Sequence, residues 1–417
     1  MFLLYEVLLY LVFLALLPWF LATGFLRGKY VGSFAERMGR FRHSSGSHDL
    51  WIHAVSVGET LAAAPLVAKL KTSVPDLKIV FTTTTATGRE IAQRIFPEAT
   101  HAYFPFDFSR SVSSFLDHHR PRVFATMETE IWPNVTRLAT ARGVRMMLVN
   151  ARISDRSLPR YRRFRWLLRP ILDLYTLFLA RDAEDARRLI AIGAPKERIE
   201  IVGNLKFDFE PASSTLPIEQ SIVDLARGRR IVILGSTVEG EDELLIPMLP
   251  DLIAAADCFV IIAPRKVERF GVVASLLSSS QLAHLRRTNL GKGAGKVDIV
   301  LLDSIGELAA LYRHASVAFV GGSLVPSGGH NPIEPAAVGT PVAFGPYMSN
   351  FREIAATFTS ENAARQLASP EELKEFLIQM LNDDEMRQGY RSRAAVTVAR
   401  NRGAAARTAA RIVELLQ

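Results

Sequence analysis

The sequence predicts an α/β protein with two parallel-sheet domains preceded by a membrane-anchor helix. Three observations carry this reading. The chain has 417 residues, too many for one ordinary core, and 49% of them are hydrophobic. Short apolar runs alternate with helical patterns in two successive series, as in parallel sheets covered by helices. An uncharged apolar run, residues 7–26, stands near the N-terminus.

Residues 1–26 form the expected anchor. Only Tyr10 and Thr23 interrupt the apolar run, and roughly 20 such residues suffice to cross a bilayer. Arg27, Lys29, Arg37, Arg40 and Arg42 follow it, whereas only Glu6 precedes it. The positive-inside rule then keeps the body of the protein on the cytoplasmic side. A cleaved signal peptide fits poorly, because no basic n-region is present. A helix lying in the membrane plane or packed on the protein is the alternative to a span.

Residues 27–206 make the first α/β domain. Strands are expected at 50–55, 78–83, 121–126, 145–150, 177–180 and 199–202, with a helix at 61–70 and another opening within 84–90. Residues 207–217 read as a linker. Residues 218–400 make the second domain, with strands at 230–235, 259–263, 298–302, 318–320 and 342–344. Residues 401–417, rich in alanine and arginine, form a helix expected to pack back on the first domain.

Composition narrows the function. A net charge of +8 implies an anionic partner. No nucleic-acid module is present, so an anionic membrane or lipid is the better match. The single cysteine, Cys258, excludes an intramolecular disulfide and sits in an expected strand as a structural thiol. No Cys/His cluster has metal-ligand spacing, so no metal site and no cofactor are expected. The string GKGAGK, residues 291–296, lacks P-loop spacing, and Val297 stands where Ser or Thr would hold magnesium.

Ligands of such sheets bind outside the carboxyl ends of the strands. Ser56, Gly58 and Glu59 lie at the first such end. Gly58 permits an unusual backbone angle or close ligand approach. Two readings of Glu59 stand: a helix cap, or a general base facing an interdomain cleft. In the string ETEIWPN, residues 128–134, Glu128 and Glu130 can point to opposite sides of an extended segment. Lys206 precedes the linker, where a cation can face a bound anion.

In the second domain Pro264 and Arg265 follow one strand, and Ile305, Gly306 and Glu307 follow another. The string VGGSLVPSGGHNPIEPA, residues 320–336, reads as strand, glycine loop and helix start. A helix start offers unpaired N–H groups to a phosphate, and Glu334 in its first turn can accept from ribose hydroxyls. Between residues 156 and 169, Arg160, Arg162, Arg163 and Arg165 are interleaved with Tyr161, Phe164 and Trp166. Such a run is either a solvated helix face or a surface for anionic lipid, and the neighbouring anchor favours the second.

Together these strings resemble the lipid A Kdo transferase family, over nearly the whole chain. The resemblance rests on WIHAVSVGE at 51–59, ETEIWPN at 128–134, NARIS at 150–154 and NLKFD at 204–208. In the second half it rests on Pro264-Arg265, the GEL of 306–308, and the glycine loop with His330, Asn331 and Glu334. It implies a GT-B fold, two Rossmann-like domains facing a cleft. It implies inverting transfer of 3-deoxy-D-manno-oct-2-ulosonic acid (Kdo) from CMP-Kdo to a lipid A precursor at the cytoplasmic face of the bacterial inner membrane. By the same resemblance Glu59 is the base, and Glu128 and Lys206 stabilise the transition state. Pro264, Arg265, Ile305, Gly306, Glu307, Gly322, Ser323, Gly329, His330, Asn331, Pro332, Ile333 and Glu334 form the CMP site. Ser56, Gly58, Arg152, Arg160, Arg162, Arg163 and Arg165 belong to the acceptor side.

Overall fold

A computed structural model describes residues 2–27, 31–41, 46–211, 215–280, 282–291 and 296–417, without the side chains of 19–32. Lys29, Arg42, linker residues 212–214 and loop residues 292–295 lie outside the described set. The chain divides into two compact units. Unit 1 comprises Met1–Asp208 with Arg402–Gln417, and unit 2 comprises Phe209–Asn401.

Unit 1 is built on seven strands: β1 His48–Ala54, β2 Ile79–Thr83, β3 Thr100–Tyr103, β4 Pro121–Met127, β5 Arg145–Ala151, β6 Leu177–Ala180 and β7 Ile199–Ile201. They form one sheet in the order β3-β2-β1-β4-β5-β6-β7, with every neighbouring pair parallel. Residues of β1, β2, β4 and β5 are almost wholly buried, because helices cover both faces. One face packs under the helix Val57–Ser73 and the C-terminal helix Ala404–Leu416. The other buries Trp51 against Phe124, ring centroids 3.9 Å apart. His53 of the same string is fully buried, stacks on Phe104 and bonds Thr82, so it serves the core.

Unit 2 repeats the plan with β8 Ile231–Thr237, β9 Phe259–Pro264, β10 His284–Arg286, β11 Ile299–Leu301, β12 Val317–Val320, β13 Val342–Phe344 and β14 Ala364–Gln366. The order is β10-β11-β9-β8-β12-β13-β14, again all parallel.

Each order reverses direction once, between β1 and β4 in unit 1 and between β8 and β12 in unit 2. At such a switch point the connections leave toward opposite faces, and a crevice opens outside the strand ends. Glu59 and Glu128 follow β1 and β4 at the first of these places, and the glycine loop follows β12 at the second.

At the N-terminus, the helix Phe2–Arg27 docks on unit 1. Glu6 accepts from Ser109 N (3.0 Å), Ser109 Oγ (2.6 Å) and Asn134 Nδ2 (2.6 Å). Tyr5 donates to Asp107 (2.8 Å), Tyr10 stacks on Phe108, and Phe13 meets Phe106 and Phe108. Leu3, Leu4, Leu8, Leu11 and Leu14 are exposed. Among the described residues no helix is long and apolar enough to cross a membrane.

Candidate active site

In unit 1, Ser56 follows β1 in extended conformation and caps the helix Val57–Ser73. Its hydroxyl accepts from Glu59 N (3.4 Å) and donates to Glu59 Oε1 (3.0 Å); Glu59 Oε2 accepts from Val55 N (2.8 Å). Glu59 therefore caps the helix, as one of the two sequence readings held. The cap also orients the carboxylate without removing its basicity. Burial pushes its pKa up to about 7, against the Val55 N–H; the charges of Glu128 and Glu130 raise it further, against the Ser56 hydroxyl. That value suits a general base near neutral pH. Of the two uses the sequence allowed for Gly58, the unusual backbone angle is not adopted. A Cβ there would meet only Ser56 Oγ, at 3.8 Å, so the position is open to a ligand.

Across the switch point, Glu128 follows β4 with φ of +57°, a conformation most side chains avoid. Such strain persists where surroundings over-determine it. Here Glu128 N donates to Val149 O (2.9 Å), and the carboxylate meets Lys206 Nζ at 3.3 Å and Arg152 Nη1 at 3.4 Å. Lys206 is placed by a buried buttress from the NARIS string, to which no individual role was assigned from the sequence. Asn150, at φ +53°, accepts from Leu205 N through Oδ1 (3.0 Å). Glu130, two residues on, has its pKa raised by burial. Glu59, Glu128, Lys206 and Arg152 thus form one cluster. Arg160, Arg162, Arg163 and Arg165 stand apart from it, exposed on the short helices Leu158–Arg163 and Arg165–Leu172, with Phe164 and Trp166 exposed beside them.

In unit 2, Pro264 ends β9, and Arg265 N donates to Thr237 O at the end of β8 (2.8 Å). The Arg265 charge reaches His330 and Glu334. Burial lowers the His330 pKa to about 4, and Arg265 lowers it further, so its ring is neutral at pH 7. Gly322, at φ +67°, makes room for that ring: a Cβ would lie 2.9 Å from His330 Cδ2. Gly329 likewise makes room for Met348, whose Sδ would lie 2.3 Å from a Cβ. Asn331 accepts from Ile333 N (3.1 Å) and donates to Glu334 Oε1 (3.3 Å). Burial raises the Glu334 pKa, against Asn331 and Arg265. Among the described residues its Oε2 accepts no hydrogen bond.

Three details depart from expectation. The helix expected to open at Pro332 is only the five residues Ile333–Ala337, and Pro332 is its N-cap, so little dipole is available to a phosphate. Ser323 is fully buried, its hydroxyl donating to Val320 O (2.5 Å) and accepting from Gly345 N (2.8 Å), so it does not face a ligand. Glu307 is held by Arg287 through two bonds of 2.8 and 2.6 Å, which leaves Ile305 and Gly306, both exposed, as the reachable part of that loop.

Residues 32–209 match the family model described as 3-deoxy-D-manno-octulosonic-acid transferase (kdotransferase). The 3-deoxy-D-manno-octulosonic acid transferase of Haemophilus influenzae is 35% identical over 382 residues, covering 90% of each chain. That of Bordetella pertussis is 37% identical over 374 residues, covering 86% of this chain and 85% of its own. The chain belongs to the 3-deoxy-D-manno-octulosonic acid transferase family. This Kdo transferase is a glycosyltransferase with the GT-B fold. Among solved structures, UDP-GlcNAc 2-epimerase of Neisseria meningitidis, bound to UDP-GlcNAc, shares that fold: 14% identity, TM-score 0.61, covering 89% of this chain and 99% of its own.

Proposed function

We propose that this Kdo transferase moves Kdo from CMP-Kdo to a lipid A precursor, with inversion, in lipopolysaccharide assembly at the cytoplasmic face of the inner membrane. Its N-terminal helix attaches it to that membrane. The observation that carries the catalytic reading is the Glu59 carboxylate, fixed by Val55 N–H and Ser56 while its pKa is pushed up to about 7.

Glu59 takes the proton of the acceptor hydroxyl as its oxygen bonds to the anomeric carbon of Kdo. The bond from that carbon to the CMP phosphate oxygen breaks, and CMP leaves as a monoester anion. The single displacement inverts the anomeric centre. Glu128 stabilises the oxocarbenium-like charge that develops there, and Lys206 balances negative charge on the departing phosphate. Arg265 supplies the corresponding cation in unit 2, and Glu334 Oε2 accepts from a ribose hydroxyl. The leaving group is already activated, so the reaction requires no cofactor.

The two half-sites predict separable losses. Glu59→Gln should lower turnover by ~100- to 10,000-fold, the usual contribution of a general base, with CMP affinity near wild type. Glu334→Ala should weaken CMP binding by roughly 1.5–3 kcal/mol, as for a lost charge-assisted hydrogen bond. Single-turnover transfer and calorimetry with CMP measure the two quantities. Near-normal turnover in Glu59→Gln removes Glu59 from the mechanism, and unchanged CMP affinity in folded Glu334→Ala leaves Glu334 as a cap.

A further inference from the structure

Glu241 belongs to none of the motifs that the sequence offered. It follows β8 and is fully buried, yet it packs against the glycine loop that follows β12. Its Oε2 accepts from Gly322 N (2.6 Å), and its Oε1 accepts from Ser323 N (3.0 Å) and Leu324 N (2.9 Å). A buried carboxylate is costly unless hydrogen-bonded, and three main-chain donors meet that need. The fit is close: a Cβ on Gly321 would lie 2.7 Å from Glu241 Oε2 and 2.6 Å from Ser236 O.

Consecutive N–H groups in a glycine loop form a nest that commonly receives an anion. Here the nest of residues 322–324 is already filled by a carboxylate of the same chain. Its donors are therefore not available to a nucleotide phosphate. What the nest shapes is the outer side of the loop, where Gly322 at φ +67° leaves room for the His330 ring.

Resting on the nucleotide reading of unit 2, we infer that Glu241 is the positioning residue of the donor half-site. Its carboxylate takes the place of an anion inside the glycine loop and sets Gly322 and His330 in the ligand-binding arrangement before the nucleotide arrives. The donor phosphate is then met by side chains such as Arg265, not by the amides of residues 322–324.

The test pairs Glu241→Gln with hydrogen exchange on the wild-type full chain. Glu241→Gln keeps the size and loses the charge. It should raise the CMP Kd and the KM for CMP-Kdo by roughly 10- to 100-fold, the scale of charge-assisted hydrogen bonds, and leave the KM for the lipid acceptor within about twofold. A general loss of packing would move both KM values. In the wild type, the amides of Gly322, Ser323 and Leu324 should exchange slowly without ligand, and CMP should not slow them further. Fast exchange that CMP alone protects overturns the inference, whether or not the variant folds. Unchanged CMP affinity in folded Glu241→Gln overturns it as well, while leaving the nucleotide reading intact. Absence of CMP binding by the wild type overturns the nucleotide reading and this inference with it.

Discussion

Glu59 ties the chemistry to measurable proton linkage. Its folded pKa of about 7 stands above the ordinary 4.5, chiefly through burial. A base must be deprotonated, so kcat/KM should rise with pH and level off above about pH 7, falling toward tenfold per unit below it. Stability should move the other way. A carboxyl whose folded pKa is raised contributes stability that is fully present below pH 4.5 and lost as pH rises through about 7. Glu59→Gln, which cannot ionise, should therefore melt above wild type near pH 8 and close to it near pH 5. Melting curves at the two pH values check this; an equal shift at both would assign it to altered capping. The sequence showed Glu59 and its two possible roles; the structure shows the cap, and the raised pKa supports the base proposed above. The sequence offered Asn150 only as part of the NARIS string and did not offer Glu241, because their importance lies in which main-chain N–H groups they meet across 55 and about 80 residues of chain.

Among the elements, the buried strands were legible, and of the four edge strands only β7 was. Strands β1, β4, β8 and β9 are apolar runs because both faces are covered. The missed strands β3, β10 and β14 are short edge segments, Thr-His-Ala-Tyr, His-Leu-Arg and Ala-Arg-Gln, which bury too little to need an apolar run. The N-terminal helix was legible as apolar, but its polar attachment was not. Glu6 reaches Asn134 of the ETEIWPN string, and Asn134 N and Val135 N in turn donate to Asp107, buried enough to push its pKa up to about 6. This links the first helix to the segment that carries Glu128. Glu6→Ala should lower stability by about 1.5–3 kcal/mol, the scale for hydrogen bonds to a charged group, and open the first helix to proteolysis. Denaturant unfolding and limited digestion report it, and a wild-type midpoint with unchanged digestion would dismiss the link.

At the scale of the whole molecule, unit 1 carries two features that fit a lipid acceptor. One is the leucine face of the first helix, with Leu3 78% and Leu4 73% exposed; the other is the exposed arginine segment with Trp166 71% exposed. Near an anionic surface each cation contributes about 1 kcal/mol, screened by salt. Replacing Arg160, Arg162, Arg163 and Arg165 together with Gln should raise the KM for lipid acceptor and reduce its salt dependence, with the KM for CMP-Kdo nearly unchanged. Equal loss for both substrates would indicate misfolding, and no loss would make the segment a solvated face. The GT-B fold serves an epimerase as well as transferases, so the reaction itself must be observed. The direct measurement is incubation of the full chain with CMP-Kdo and a lipid A precursor, followed by chromatography of the lipid and the nucleotide. The account predicts a Kdo-bearing lipid with one CMP released per Kdo transferred. An unmodified lipid, with the donor epimerised or merely hydrolysed, would contradict it.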